Sequence, residues 1–301
     1  MRRGKTELAK LAIKVDIDTL RGYKEGVPRL LDLFKKHGLR ASIFFSFGPD
    51  NSGKAIRRIF RKGFISKMIR TKAPSTYGLK TLMYGTLLPA PLIVPSAPDI
   101  FKRAFAEGHD CGVHAWDHVY VQDELAKISR SEFRALFEKA ASMFEKLSGA
   151  RPTSYAAPGW QLSADTLSVQ QELGLEFCSD VRGFSPFLPV FKGVQYAPVQ
   201  VPTTLPTMDE IYGLPGVDDA TLPQKWLDGM TNEWNVVTVH AEMEGMSKLG
   251  VLDRFLAMNE EQGTSFFTLR DYARISQAQP CVIKMGYLTG RAGKLAVQEG
   301  N

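Results

Sequence analysis

The chain has 301 residues, 44% of them hydrophobic and 23% charged, with a formal net charge of +6. These proportions are those of a globular protein and exclude a disordered, collagenous or coiled-coil chain. The length allows two domains of about 150 residues or one α/β barrel of about 250, and a core of that size needs no disulfide staples. Cys111, Cys178 and Cys281 are far apart and match no zinc spacing, which fits a reducing compartment. Arg2, Arg3 and Lys5 are not followed by the apolar stretch of a signal peptide. No uninterrupted apolar run of about 18 residues is present to span a membrane. The expectation is a cytoplasmic protein.

Strand-like and helix-like segments alternate along the chain. Residues 11–16 read as a strand, although Lys14 interrupts the apolar run. Residues 27–37 read as a helix, with Pro28 near its start and Gly38 just past its end. Residues 41–47 are β-rich. Residues 98–107 form a short helix stopped by Gly108, and residues 110–114 a strand. Ser129 and Glu132 have capping-box spacing before a helix ending at Gly149. Further strands are expected at 154–157, 177–180, 195–201, 236–240 and 264–268, with helices at 164–173 and 251–262. Residues from 280 onward show no pattern. This alternation predicts a parallel sheet flanked by helices. The fold expected is an α/β barrel, distorted or incomplete, of about seven strands, with an open doubly wound sheet as the alternative. A single catalytic domain is expected over residues 1–278, with a tail over 279–301. No glycine fingerprint for a nucleotide follows any strand.

The positive charge is concentrated. Residues 51–98 hold nine basic residues and no acidic one, and the remainder of the chain is slightly acidic. Ile56, Ile59, Phe60, Phe64 and Met68 fall at helical spacing, with Arg57, Arg58, Arg61 and Lys62 between them. Such a helix suits an anionic bilayer surface. An uncharged run with four prolines follows, which forbids a spanning helix there. No nucleic-acid-binding module is recognisable, and nucleic acid is not an expected partner.

In a parallel barrel the chemistry lies at the C-terminal strand ends. Here those ends carry Asp16-Ile-Asp18, His114-Ala-Trp-Asp-His118, Ala157-Pro-Gly159-Trp160, Ser179-Asp180-Val-Arg182 and Val239-His240-Ala-Glu242. His114 and His118, four apart, would face the same way on one helical turn and chelate one ion. Asp18 would complete a His₂Asp face suited to Zn²⁺, Fe²⁺, Mn²⁺ or Co²⁺. Period two puts Asp16 and Asp18 on the same side of their strand.

The order Asp-x-Asp, His-x-x-x-His, Pro-Gly, Asp, Val-x-His resembles the polysaccharide deacetylase superfamily of metal-dependent carbohydrate amidases. Residues 16–22, 41–46, 48–51, 114–118, 179–183 and 240–242 are similar to its branch that deformylates an undecaprenyl phosphate-linked formamido sugar. The resemblance implies that Asp18, His114 and His118 hold one divalent metal ion. It implies that Asp16 is the general base and His240 the general acid, and that Asp180 and Arg182 orient or tune them. Trp116 and Trp160 would wall the sugar site beside Gly159, with Glu242 as a further tuning group. Arg21 could touch a substrate phosphate. Many relatives carry an arginine where this chain has Ala156, and Arg182 is the expected substitute. The implied partners are an undecaprenyl phosphate-linked sugar and the anionic membrane surface. The implied location is the cytoplasmic face of the bacterial inner membrane, held there by Arg57, Arg58, Phe60, Arg61, Lys62 and Phe64. Two other readings stand beside this one. One is an N-deacetylase of another amino sugar; the other is a non-catalytic membrane-surface binding protein, which predicts the loss of at least one metal ligand, whereas Asp18, His114 and His118 are all present.

Overall fold

The computed structural model describes residues 9–55 and 80–300. The proposed membrane-contact residues Arg57, Arg58, Phe60, Arg61, Lys62 and Phe64 lie outside them.

Strand β1 (Lys10–Ile17) is buried along nearly its whole length. Its alternation sorts the side chains. Leu11, Ile13, Val15 and Ile17 join the main core beneath the helices, while Ala12 joins a second cluster. Lys14 and Asp16 share that second face. Beside β1 lie β2 (Ser42–Ser46), then β3 (Asp110–Ala115), β4 (Ser154–Tyr155), β5 (Phe177–Cys178) and β8 (Val199–Gln200), all parallel. On the other edge of β1 runs β9 (Asn235–His240), also parallel, with Asp16 opposite His240. The amides of Thr204 and Leu205 donate to Val236 O at 3.1 and 3.0 Å, so the chain after β8 reaches β9 and the sheet curls almost shut. The expected incomplete barrel of about seven strands is the fold observed. The short strand β10 (Ser265–Phe267) shares an edge of β1 with β2.

The helices α1 (Val27–Lys36), α2 (Pro98–Ala106), α4 (Arg130–Ser148) and α8 (Leu249–Glu261) cover the outer face. In α4, Phe133, Phe137, Ala140 and Phe144 form the apolar stripe that is buried. Each such phenylalanine contributes roughly 1.5–3 kcal/mol. Ser129 caps this helix by accepting from the amide of Glu132. The Glu132 carboxylate instead takes the Tyr120 hydroxyl. The barrel interior is plugged by Phe44, Phe177, Val201, Val236, Leu269 and Tyr272, the last two from α9 (Leu269–Ile275).

Several elements depart from the sequence expectation. Residues 195–201 are two strands, β7 (Val194–Gln195) and β8, because β7 turns back against β6 (Phe187–Phe191). The patternless segment after 279 forms β11 (Gln279–Gly286) and β12 (Leu295–Gln298). β11 runs parallel to β6, and β12 antiparallel to β11. Ile283 and Ala296 join Leu162, Val181 and Phe187 in a third apolar cluster. Short helices α6 (Met208–Ile211) and α7 (Leu222–Asp228) lie between β8 and β9. Among the described residues the remaining α-helices are α3 (His118–Glu124) and α5 (Ala164–Glu172). Among the described residues, no helix is long and apolar enough to cross a membrane.

Candidate active site

The strand ends converge on a cavity of about 100 Å³ lined by Asp16, Asp18, His114, His118, Gln122, Gly159, Trp160, Asp209, His240 and Arg291. The Oδ1 atom of Asp18 lies 3.2 Å from Nε2 of His114 and 3.3 Å from Nε2 of His118. The three donors fall within 4.8 Å of one another. His114 is the penultimate residue of β3, whereas His118 opens α3, so the pair spans a strand-to-helix corner rather than the single helical turn expected. Asp117 makes the corner, its side chain capping α3 through the amide of Tyr120 at 3.1 Å.

The donors suit a divalent cation. Nδ1 of His114 lies 2.7 Å from Ala156 O, and because a carbonyl only accepts, Nδ1 carries the proton. The Nε2 lone pair is therefore presented to Asp18 and the cavity. Asp18 Oδ1 is buried without a hydrogen-bond partner. Burial alone would raise the Asp18 carboxyl, but His118 and His114 outweigh it and hold the group well below the usual carboxylate range. A single oxygen facing two imidazole nitrogens, with no donor of its own, is a cradle for a cation.

Each loop that carries a ligand is pinned by a buried polar side chain. Asp50 accepts the amide of Leu20 at 2.8 Å, fixing the turn after Asp18. The Asn51 amide donates to Asp117 at 2.6 Å, tying the 48–51 loop to the His114–His118 corner. Asp180 accepts the amide of Ala157 at 2.8 Å, next to the carbonyl that holds His114. Gln170 and Gln200 donate to its other oxygen. Burial pushes the Asp180 carboxyl up to about 6 against these donors. Gly159 has φ +59°, a conformation that favours glycine, and a Cβ there would press on the Gln122 amide at 2.2 Å.

Asp16 and His240 face each other at the ends of β1 and β9. Asp16 Oδ2 lies 3.1 Å from Nζ of Lys14, and both side chains are buried. Asp16 Oδ1 has no hydrogen-bond partner. The Lys14 ammonium also donates to Ser179 O at 3.3 Å and sits over the rings of Phe44 and Trp160. The residue that looked like a break in a strand is thus the buried cation beside Asp16. Arg182, the expected substitute for the missing arginine, is elsewhere. It pairs with Glu210, donates to Thr203 O and Leu205 O, and covers one face of Trp160. The backbone amide of His240 donates to Glu244 at 2.8 Å. Burial pushes the Glu244 carboxyl up to about 7, opposed by His240.

Of the other expected residues, Trp160 lines the cavity and is nearly buried, with φ +55°. Trp116 does not line it; it packs on the main core under the Lys139 ammonium and against Gly48. Glu242 is wholly buried with both oxygens unpartnered, against Gly22, and does not line the cavity. Arg21 pairs with Glu25 at 3.4 Å, away from the cavity wall. Lys14, Gln122, Asp209 and Arg291 were missed. Only Lys14 carried a signal, as a lone charge among apolar strand residues two places before Asp16.

The profile of the family described as polysaccharide deacetylase matches residues 9–178. The chain belongs to that family. This polysaccharide deacetylase is 36% identical, over 86% of its own length and 84% of the relative's, to a Shewanella sediminis protein. That relative carries the name 4-deoxy-4-formamido-L-arabinose-phosphoundecaprenol deformylase ArnD. A Wigglesworthia glossinidia brevipalpis protein of the same name is 28% identical over 92% of this chain and 98% of its own. In fold, the polysaccharide deacetylase resembles a solved Mycobacterium smegmatis protein assigned to the polysaccharide deacetylases, with TM-score 0.65 and 14% identity, covering 96% and 98% of the two chains. The Bc1960 peptidoglycan N-acetylglucosamine deacetylase gives TM-score 0.56 at 18% identity, over 91% and 92%.

Proposed function

We propose that this polysaccharide deacetylase is a metal-dependent amidohydrolase that removes formyl from undecaprenyl phosphate-linked 4-deoxy-4-formamido-L-arabinose. The products are formate and the 4-amino-4-deoxy-L-arabinose lipid, a unit for lipid A modification and resistance to cationic antimicrobial peptides. The observation that carries the reading is one cavity holding the Asp18, His114 and His118 donors together with Asp16 and His240, in a chain 36% identical to a relative of that name. The Oδ1 atom of Asp16 is the free acceptor for the proton of the attacking water. Lys14 holds the other oxygen and keeps the carboxylate aimed. His240, across the register from Asp16, delivers a proton to the departing nitrogen, without which the amine is a poor leaving group. A divalent ion at Asp18, His114 and His118 would supply Lewis acidity, easing ionisation of the water and stabilising charge on the amide oxygen. The donor set accepts Zn²⁺, Mn²⁺, Co²⁺ or Fe²⁺.

The substrate is lipid-linked, and the basic stretch of residues 51–98 supports peripheral attachment to the cytoplasmic face of the inner membrane. Neutralising Arg57, Arg58, Arg61 and Lys62 should release the protein from anionic vesicles. Undiminished binding would count against that attachment.

The function is tested by measuring formate release from the formamido-arabinose lipid phosphate with protein stripped of metal and then reloaded. Activity should vanish on stripping, return with a divalent ion, and be lost in Asp16→Asn. Acetate release from an acetylated amino sugar, with no formate under any metal, would replace the deformylase by a deacetylase.

A further inference from the structure

The loop between β11 and β12 reaches the active site from outside the barrel. Arg291 lines the cavity of Asp16 and His240, and it also lines an adjoining groove of about 370 Å³. Gln122 and Gly159 are likewise common to both, so the two spaces adjoin. Ala292, Gly293, Lys294 and Asp123 also line the groove.

This loop is built into the site. Gly290 has φ +85°, and a Cβ there would lie 2.2 Å from Glu210 O, so the backbones touch. Gln161, just past Trp160, donates to Lys294 O at 2.8 Å. The amide of Arg182 donates to Ala296 O, and that of Gln298 to Arg182 O. The guanidinium of Arg291 is held on three sides. Nη1 is 3.1 Å from Asp209, Nε is 3.7 Å from Glu210, and the group sits 4.6 Å from the centre of the Trp160 ring. Nη2 meets no hydrogen-bond partner among the described residues. Glu210 is shared with Arg182.

We propose that Arg291, with Lys294 beyond it, is the subsite for a phosphate ester on the anomeric carbon of the sugar whose amide reaches Asp16 and His240. The inference rests on the proposed function. A pyranose whose C4 amide enters the cavity must send its C1 substituent out across the ring, and among the described residues the groove that adjoins the cavity at Arg291 lies ready to receive it. A fixed guanidinium with a free N–H edge is the group that recognises a phosphate at that point. Trp160 and the carboxylates hold it before substrate arrives, so little ordering is left to do on binding.

Formate release is measured on three 4-formamido-arabinose compounds: the methyl glycoside, the free 1-phosphate, and a short-chain prenyl phosphodiester. The wild type should use both phosphates at least about tenfold better in kcat/KM than the methyl glycoside. Arg291→Ala should collapse that preference and Lys294→Ala, at an exposed position, should lower it. Arg291→Lys should keep part of it. Equal use of phosphate and glycoside by the wild type overturns the inference and leaves the amidase standing. So does a preference that both alanine variants retain. A preference confined to the prenyl compound assigns the groove to the lipid and also overturns it. No formate from any of the three removes the proposed function itself.

Discussion

Replacing Lys14 by methionine keeps the apolar stem and removes the ammonium. At 3.1 Å from Asp16 Oδ2 and an effective dielectric of about 20, the attraction removed is about 5 kcal/mol. Part of that is offset, because the ammonium no longer has to be kept out of water. Taking one partner from a buried pair costs about 3–5 kcal/mol in practice, and Ser179 O also loses its donor. Lys14→Met should therefore unfold in urea with a stability about 3–5 kcal/mol below wild type, and it should hydrolyse amide more slowly because Asp16 loses its anchor. The double variant Lys14→Met, Asp16→Asn separates the pair from the packing around it. With both charges gone nothing ionic is left unpaired, and the double should be more stable than Lys14→Met alone. Losses that simply add, or a Lys14→Met protein within about 0.5 kcal/mol of wild type, would refute the coupling.

Asp180→Ala frees the Ala157 amide and loosens the carbonyl that holds His114; divalent-ion affinity, read by competition with a chelator, should fall about 10–100-fold, whereas unchanged affinity would show that His114 is held without it. Glu244 keeps a proton in the folded state up to about pH 7, while its ordinary value is 4.5, so the contribution of this group to stability falls as pH rises between those values. A tenfold change in proton affinity is about 1.4 kcal/mol, which puts the whole effect on the order of 3 kcal/mol. Glu244→Gln should therefore gain on wild type steadily from pH 5 to pH 7 in thermal or denaturant melts, and parallel curves would show that the proton is not held there.

The metal donors were legible because their signals are local: a carboxylate at a strand end, two histidines four apart, and flanking residues that fix a corner. The 48–51 loop was visible as a motif but not as a scaffold. Its work, Asp50 on Leu20 and Asn51 on Asp117, is done across the fold. Lys14 was misread because a lysine inside a strand ordinarily marks an exposed position. Here its neighbours on the interior face are an aspartate, a carbonyl and two rings, which only the curled sheet brings together. Arg182 failed as the substitute for the arginine that relatives carry at the Ala156 position for the converse reason: its place beside Asp180 suggested the network, but α6 supplies Glu210 and captures it. Strands β11 and β12 left little trace, since β11 buries few of its residues and is secured by backbone pairing with β6 and β12. Arg291, in the loop between them, was hidden with them, and Asp209 with the short helix α6.

The pairing of β1 with β9 also bears on how the catalytic centre is assembled in time. Asp18, His114 and His118 come from the end of β1, from β3 and from the corner after β3, which belong to one early stretch of sequence joined through β2. His240 comes from β9, whose register with β1 closes a loop containing most of the chain. Such long-range closure is slow compared with local strand pairing. A refolding chain would thus regain the capacity to retain an ion before it regains the acid that completes hydrolysis, and the two recoveries mark successive stages of one folding reaction.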